Sequence, residues 1–263
     1  MVSDPLLFPD VVGLVPAAGE ATRMGDLPCS KEVLPLGYER TEGGVPRAVT
    51  GLGRLLRSFA VSGIRRGLVV LRPGKWDIPE RIRNGGDFGV DVVYRVLTET
   101  GSVVETLVGA GSFLQGHRVA LGFPDIVYAP ADSFAALCRR QEETDAAVVL
   151  GLFPCREPER SDMVELDERG RVRAVHVKGP DRGLDWAWGQ AVWDRRFTEL
   201  LRTASGAGGE RELYPGDVVQ RALEEGFPVD SVRFPEGVFL DAGTPEGMKR
   251  AAAWLESGGE PET

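Results

Sequence analysis

The chain has 263 residues, of which 42% are hydrophobic and 27% charged, a composition that excludes a disordered or fibrous protein. Its formal net charge of −9 argues against a nucleic-acid-binding surface, which would be basic. No apolar run approaches the roughly 18 residues of a membrane-spanning helix. Residues 1–10 resemble no secretory signal, and three widely spaced cysteines suit neither a disulfide framework nor a zinc site. We therefore expect a cytoplasmic protein with no nucleic-acid or membrane partner.

Strand and helix patterns alternate along the first half of the chain. Helical spacing joins Leu52, Leu55 and Phe59 in a helix that Gly63 ends, and residues 134–143 predict another helix. The predicted strands are short buried apolar runs, at residues 11–16, 67–72, 90–97, 118–122 and 146–153. This alternation predicts a βαβ array with a largely parallel sheet.

Two pairs of residues have the spacing of a capping box. In that motif a side chain at the start of a helix and an acidic side chain three residues later each accept a hydrogen bond from the other's backbone N–H group. The pairs are Asp77 with Glu80 and Ser102 with Glu105. Each pair predicts the beginning of a helix.

The second half of the chain has a different pattern. Two apolar runs, at residues 163–166 and 172–178, flank a turn and predict a β-hairpin. Thr244 as N-cap and Pro245 at the first helical position predict a last helix. Further predicted elements are a strand at 187–193, a helix at 197–203, a flexible loop at 205–209, a helix at 218–225, strands at 229–234 and 238–240, and an acidic tail at 256–263. No composition break marks a boundary, so we expect one α/β domain, 1–263, whose second half carries an insertion containing the hairpin.

Small residues and cations follow the first strand. Ala17, Ala18 and Gly19 let backbone N–H groups approach a ligand, and successive N–H groups can form an anion-binding concavity. Arg23 adds a planar charged fork for phosphate oxygens, and Lys31 lies a little further on. The glycines of a Walker A loop or of a dinucleotide fingerprint are missing. These residues alone leave two interpretations open, a phosphate-binding loop or a tight turn with surface cations.

Five segments resemble, in order, the motifs of the sugar nucleotidylyltransferases, also called nucleoside-diphosphate-sugar pyrophosphorylases. The segments are residues 17–23 for A-G-G-x-G-T-R, 30–35 for P-K-x-L-L-P, 121–125 for L-G-D, 177–179 for E-K-P and 239–245 for W-x-D-x-G-T-P. The resemblance extends along nearly the whole chain and is greatest to the short glucose-1-phosphate thymidylyltransferase-like and uridylyltransferase-like enzymes. Five motifs in this order are far more specific than any one of them.

The resemblance implies a Rossmann-like, three-layer α/β fold with a mostly parallel mixed sheet. Residues of about 8–125 would bind the nucleotide and residues of about 126–250 the acceptor. The implied reaction joins a nucleoside triphosphate to a sugar 1-phosphate, or to a similar acceptor such as a cyclitol phosphate, and releases pyrophosphate. A phosphate with a second pKa of about 6 is already largely ionised and needs no general base. Mg²⁺ is the implied cofactor, and because relatives commonly form dimers or tetramers, a homo-oligomer is the default.

The resemblance also assigns candidate site residues. Asp125 and Asp241 each follow an apolar strand and are the candidate magnesium ligands; with Arg23 and Lys31 they are the candidate catalytic residues. Arg23 would bind the triphosphate near the leaving pyrophosphate, and Lys31 the region of the α-phosphate. The candidates for nucleotide binding are Ala17, Ala18, Gly19, Glu20, Thr98 and Gly101, and those for acceptor binding are Lys178, which would hold the sugar phosphate, Gly189 and Glu212.

Each candidate residue has a structural alternative. Asp125 could be an ordinary loop residue, Lys178 the solvated end of a hairpin, and Glu212 a surface acid. Trp186 and Trp188, beside Gly189, are expected to pack in the core rather than to line a sugar pocket.

The sequence departs from the family pattern in three places. Asp125 comes two residues later than the family's aspartate, and Leu97 stands where many relatives have a base-reading glutamine. Neither Glu165 nor His176 reproduces the acidic residue beside the family lysine. Two other functions therefore stay open: a non-catalytic nucleotide-sugar-binding or regulatory relative, and a cytidylyl-type transferase for a non-sugar phosphate.

Overall fold

The computed structural model describes residues 7–41, 43–206 and 212–258. Within these ranges a nine-stranded mixed sheet lies between two layers of helices, and two small two-stranded sheets lie beside it. The strands are β1 Val11–Pro16, β2 Pro35–Arg40, β3 Pro46–Thr50, β4 Arg66–Leu71, β5 Asp91–Val96, β6 Arg118–Gly122, β7 Ile126–Ala129, β8 Val148–Pro154, β9 Met163–Leu166, β10 Val172–His176, β11 Trp186–Trp193, β12 Val229–Arg233 and β13 Val238–Asp241. The helices are α1 Gly51–Val61, α2 Asp77–Ile82, α3 Val103–Val108, α4 Ser133–Thr144, α5 Arg195–Gly206, α6 Pro215–Glu224 and α7 Pro245–Glu256.

The main sheet has the order β12–β8–β11–β6–β1–β4–β5. Strands β6, β1, β4 and β5 are parallel, and β12 is parallel to β8, whereas β11 is antiparallel to both of its neighbours. The hairpin of β9 and β10 joins the beginning of β11. The predicted α/β architecture, with its mostly parallel mixed sheet and the hairpin in the second half, is confirmed.

The central strands are apolar on both faces because helices cover both sides of the sheet. In β1, Val11 and Val15 pack with α1, α2 and α4, whereas Val12 and Leu14 pack with α3, α5 and α6. A smaller apolar cluster joins α7 to β2, β7 and β13. None of the helices in the described ranges is long and apolar enough to cross a membrane.

The hydrogen bonds at two helix starts differ from the predicted capping boxes. Helix α2 has Trp76 at its N-cap, and the carboxylate of Asp77 accepts hydrogen bonds from the backbone N–H and the hydroxyl of Ser30, at 2.6 and 2.7 Å. Ser102 does cap α3, but Glu105 accepts from the N–H of Gly101 instead of that of Ser102. Both helices begin where predicted, but Asp77 forms no capping box because Ser30 binds its carboxylate, and the box at Ser102 is only half formed.

The other differences concern short or exposed segments. Strands β2, β3 and β7 are not among the predicted elements, and β10 ends at His176, two residues before Lys178. Of the loop predicted at 205–209, Ser205 and Gly206 belong to α5, and the remaining residues lie outside the described ranges. Thr244 caps α7 as predicted, accepting from the N–H of Gly247 at 3.1 Å.

Candidate active site

A small antiparallel sheet brings Asp125 and Asp241 together. Asp125 immediately precedes β7, Asp241 ends β13, and Asp241 pairs with Ile126 across the two strands. The N–H of Ala242 donates to the backbone oxygen of Asp125 at 2.7 Å. Phe123 and Pro124, the two residues by which this chain extends the family's L-G-D motif, form the turn between β6 and β7. They do not separate the two aspartates.

Lys31 forms an ion pair with Asp125. Its Nζ lies 2.5 Å from Oδ2, and the two side chains are only 15% and 18% exposed. Burial raises the pKa of Asp125, but the Lys31 ammonium more than offsets that effect and holds the pKa below its usual value. Burial would lower the pKa of Lys31, yet Asp125 raises it above its usual value. Both groups are therefore charged at neutral pH.

The residues on either side of Lys31 are anchored to the segment after β4. Ser30 donates two hydrogen bonds to Asp77, as described above, and the carboxylate of Glu32 accepts from Lys75 Nζ at 2.6 Å. Glu32 is 1% exposed and Lys75 9%. These contacts hold the residues on both sides of Lys31, whose own side chain pairs with Asp125.

Asp241 and Arg23 complete a cluster around Gly243. A Cβ atom at Gly243 would lie 2.8 Å from Asp241 Oδ1, 3.1 Å from Asp125 Oδ2 and 3.2 Å from an Arg23 guanidinium nitrogen. Arg23 is 62% exposed and lies 3.8 Å from Asp241 Oδ2. Burial and the neighbouring charge of Asp125 raise the pKa of Asp241. A bare Gly243 thus leaves room where two carboxylates and a guanidinium converge.

These four charged groups line a cavity of about 570 Å³ at the carboxyl edge of the sheet. Its walls also include Lys178 and Gly189, together with aromatic side chains and Asp162 from the second half of the chain. In open α/β sheets this edge is where ligands bind. The cavity lining therefore combines cations for phosphate groups, two convergent carboxylates and apolar surface.

Lys178 and Gly189 lie in this cavity for different reasons. Lys178 follows the hairpin with φ of 25° and holds its ammonium 3.9 Å from the centre of the Tyr214 ring. Gly189 lies in β11 against the ring of Phe239, where any side chain would clash. The carbonyl of Gly189 also accepts a hydrogen bond from the Tyr128 hydroxyl. Only its backbone is available to a ligand.

The other predicted site residues do not line the cavity. Ala17 and Ala18 are buried beneath the loop, Gly19 and Glu20 are exposed, and Glu20 pairs with Arg72. Thr98 and Gly101 lie on the exposed segment between β5 and α3. Glu212 is exposed and accepts from the Tyr214 hydroxyl at 2.8 Å. Their roles in binding stay predictions.

The cavity is also lined by residues that were missing from the predicted site. Asp162, Trp188 and Tyr214 all line it. Trp188 is 5% exposed, so the expectation that it packs in the core is met, but it also forms part of the cavity wall. The only signal in the sequence was the position of Trp188 beside Gly189, and Asp162 carried none.

Comparisons with known proteins support one family. No family model matches the chain. Over 250 residues, 93% of its length, the chain is 26% identical to a glucose-1-phosphate thymidylyltransferase of Neisseria gonorrhoeae and covers 82% of that protein. This similarity supports the sugar nucleotidyltransferase family that the sequence motifs indicate. It is also 24% identical over 196 residues, 70% of its length, to the low-salt glycan biosynthesis nucleotidyltransferase Agl11 of Haloferax volcanii, of which it covers 51%.

Solved structures share the sugar nucleotidyltransferase fold. A Bacillus anthracis crystal structure, assigned as a glucose-1-phosphate thymidylyltransferase in complex with sucrose, has a TM-score of 0.79 at 18% identity and covers 92% of this chain and 94% of its own. UDP-glucose pyrophosphorylase complexed with UDP-glucose has a TM-score of 0.76 at 13% identity, with coverage of 94% and 98%. At these identities the likeness shows the fold alone.

The carboxylates of Asp125 and Asp241 suit one magnesium ion shared with a substrate. Among the described residues no three His, Cys, Asp or Glu side chains cluster as a metal cage. Mg²⁺ is usually bound by one or two carboxylates together with substrate phosphates and waters. Asp125 and Asp241 provide two such carboxylates. The raised pKa of Asp241 indicates that its negative charge is not fully compensated by the neighbouring cations. The donor set therefore fits Mg²⁺ once a triphosphate is present.

Proposed function

We propose that this sugar nucleotidyltransferase joins a nucleoside triphosphate to a sugar 1-phosphate, giving a nucleoside-diphosphate sugar and pyrophosphate. One observation carries the proposal. Lys31, Asp125, Arg23 and Asp241 converge in a cavity that also holds Lys178. The cations suit two phosphorylated substrates, and the paired carboxylates suit the metal that would neutralise them.

The reaction is a displacement at the α-phosphorus of the triphosphate. An ionised oxygen of the sugar phosphate forms a bond to that phosphorus, and the bond from it to the oxygen bridging the α- and β-phosphates breaks. The electron pair leaves with pyrophosphate. Because the attacking phosphate is largely ionised near pH 7, no side chain has to remove a proton, and catalysis depends on alignment and charge stabilisation.

The chain's own cations divide this work. Lys31, held rigidly by its neighbours, would contact the α-phosphate, where negative charge develops during the transfer. Arg23, exposed at the mouth of the cavity, would bind the β- and γ-phosphates. Lys178 would leave the face of Tyr214 and bind the acceptor phosphate. This division places the two substrates on opposite sides of the reacting phosphorus.

Asp125 and Asp241 would hold Mg²⁺, which would supply positive charge to the triphosphate oxygens. Before a substrate binds, Lys31 partly neutralises Asp125. Binding of the α-phosphate would give Lys31 a second anionic partner and release one carboxylate oxygen toward the metal.

Recognition of the base would fall to Thr98 or to the backbone near Gly101. Leu97, which occupies the position of the family's glutamine, is partly buried in the cluster beneath α3. It packs directly against Gly109, where a Cβ atom would clash with it. A leucine side chain also has no group that could form a hydrogen bond with a base edge.

A pyrophosphate-release assay tests the proposal. The purified protein is assayed with each common nucleoside triphosphate and a panel of sugar 1-phosphates, a cyclitol phosphate and a phosphonate, with Mg²⁺ present. We expect turnover with at least one sugar 1-phosphate. Nucleotide binding without any turnover would favour a binding or regulatory protein, and turnover with the phosphonate alone would favour the cytidylyl-type reaction.

A cytoplasmic location, a homo-oligomer and the absence of nucleic-acid or membrane partners stay predictions from the sequence.

A further inference from the structure

The acceptor end of the cavity contains an aspartate that neither the family motifs nor the proposed reaction uses. Asp162 immediately precedes β9 and lines the cavity with Lys178, Trp188 and Gly189. The backbone N–H of Trp188 donates to its carbonyl at 3.2 Å, which fixes the residue against β11. The fold therefore holds this carboxylate at the cavity wall.

The carboxylate of Asp162 is not fully hydrogen-bonded. Its Oδ1 is enclosed and has no partner within the described part of the chain, and the same is true of Nε1 of Trp188. Its Oδ2 lies against the beginning of α6, 2.5 Å from where a Cβ atom of Gly216 would be. Most buried polar atoms are paired, so an acceptor and a donor left unpaired in one cavity wall need an explanation.

The charges facing Asp162 do not supply that explanation. Burial raises the pKa of Asp162 to about 6, while the charge of Lys178, the backbone N–H of Lys178 and the nearby Trp188 side chain lower it and the charge of Asp217 raises it. A purely structural acid in this position would be expected to pair with Lys178. The Lys178 ammonium instead lies on the Tyr214 ring.

We propose that Asp162 selects the acceptor by accepting a hydrogen bond from a hydroxyl or amino group of the sugar ring, with Trp188 Nε1 as the complementary donor. This inference rests on the proposed function, because it assumes that Lys178 holds the sugar's phosphate. A hydroxyl group can donate and accept at once, so one ring position can satisfy both orphaned atoms. Phe123, whose ring centre lies 6.2 Å from that of Trp188, and Phe239 provide apolar walls for the ring.

A site that hydrogen-bonds a substrate hydroxyl strongly rejects the analogue that lacks it, because its own polar groups are then left unpaired. The test therefore compares glucose 1-phosphate with its 2-, 3-, 4- and 6-deoxy analogues. We expect the wild-type protein to lose about 10²-fold or more in kcat/KM with one analogue in particular. Asp162→Ala should reduce that penalty to less than about tenfold, and Asp162→Asn, which keeps an acceptor oxygen, should give an intermediate value.

Two controls isolate the ring contact. Glu236→Gln removes another carboxylate that lines the cavity but is exposed, and it should leave every deoxy penalty unchanged. The KM for the triphosphate should stay the same in all three variants. Circular dichroism and thermal unfolding establish that each variant is folded.

An amino analogue distinguishes the two possible donor groups. If the wild-type protein prefers the amino sugar 1-phosphate at the sensitive position and Asp162→Asn abolishes that preference, the group is an amine; without such a preference it is a hydroxyl. Either result supports the inference. Turnover with the same deoxy penalties in the wild-type protein and Asp162→Ala would overturn the role of Asp162 alone. Absence of turnover with every sugar 1-phosphate would overturn the proposed function, and this inference with it.

Discussion

Lys31 Nζ lies 2.5 Å from Asp125 Oδ2, so the ion pair joins residues 94 positions apart and connects the segment after β1 to the end of β6. The contact neutralises one of the two carboxylates proposed to hold the metal and leaves Asp241 as the acid with a raised pKa. The two carboxylates are therefore electrostatically unequal. Asp241 is the carboxylate that gains most from an incoming cation.

Replacement of that acid is expected to stop catalysis without unfolding the protein. Asp241→Asn should lower kcat by about 10²-fold or more, a loss typical for one preorganised electrostatic group. Because burial and Asp125 oppose ionisation of Asp241, the variant should keep or raise Tm. Pyrophosphate release and thermal unfolding measure the two effects. Full turnover of the wild-type protein in excess EDTA would contradict the metal-based interpretation.

Arg23 is expected to act on the transition state. Arg23→Ala should lower kcat/KM by roughly 10²-fold, because it removes a cation at the mouth of the cavity. Arg72→Ala is the matched control, since Arg72 pairs with Glu20 of the same loop but does not line the cavity. If Arg23→Ala keeps a kcat/KM near that of the wild-type protein, Arg23 is only a surface cation and does not act on the transition state.

Lys178 should affect the two substrates unequally. A charge-assisted hydrogen bond to a phosphate contributes about 1.5–3 kcal/mol, so Lys178→Ala should raise KM for the sugar 1-phosphate by roughly ten- to a hundredfold. The KM for the triphosphate should change much less. Lys249→Ala, which removes an exposed lysine in α7, is the control. Equal weakening of both substrates would mean that Lys178 supports the fold or the triphosphate site.

The buried pair of Glu32 and Lys75 should stabilise the segment that carries Lys31. Lys75→Met leaves a carboxylate that is 1% exposed without its partner, and such a loss costs about 3–5 kcal/mol. Tm should fall by roughly 6–20 °C, and kcat should fall with it. The double variant Glu32→Met/Lys75→Met removes both charges and should recover most of the lost Tm. A double variant no more stable than Lys75→Met would mean that the pair's role is packing.

The sequence identifies those parts of the fold that depend on local pattern. Strands β1 and β6 have the predicted bounds because each is a continuous apolar run buried on both faces. Strands β2 and β3 each begin with a proline, and most of their residues are exposed or half-buried, so they show no such run. Strand β7 has only four residues and follows β6 almost directly. Short strands that depend on their partners leave little trace in the sequence.

Some residues of the candidate site could likewise be placed from the sequence, and others could not. Asp125 and Asp241 could be placed at one sheet edge because each follows an apolar strand. The partner of Asp77 could not be predicted, because Ser30 lies 47 residues earlier and only the fold joins them. Asp162 is a single acid in a polar segment. It is held at the cavity by a backbone hydrogen bond from Trp188, which lies 26 positions later in the chain. The spacing of residues along the sequence does not reveal long-range contacts of this kind.

Asp162 also predicts how stability depends on pH. Its pKa is about 6 in the folded protein against an ordinary value of 3.8, so between these values the folded state binds the extra proton. Stability should therefore fall as the pH rises from about 4 to 6, by up to about 3 kcal/mol, and stay lower above pH 6. Asp162→Asn removes this penalty and should be more stable than the wild-type protein at pH 7.5, but not at pH 4.

Urea unfolding at the two pH values measures this difference directly. Glu236→Gln, the exposed carboxylate at the same cavity, should show no pH-dependent gain. A gain for Asp162→Asn that is equal at pH 4 and pH 7.5 would mean that the amide packs better, and that ionisation is not the cause. A pH-dependent gain in stability, accompanied by weaker selection among acceptors, is the combination expected of a carboxylate retained for ligand recognition at the expense of the fold.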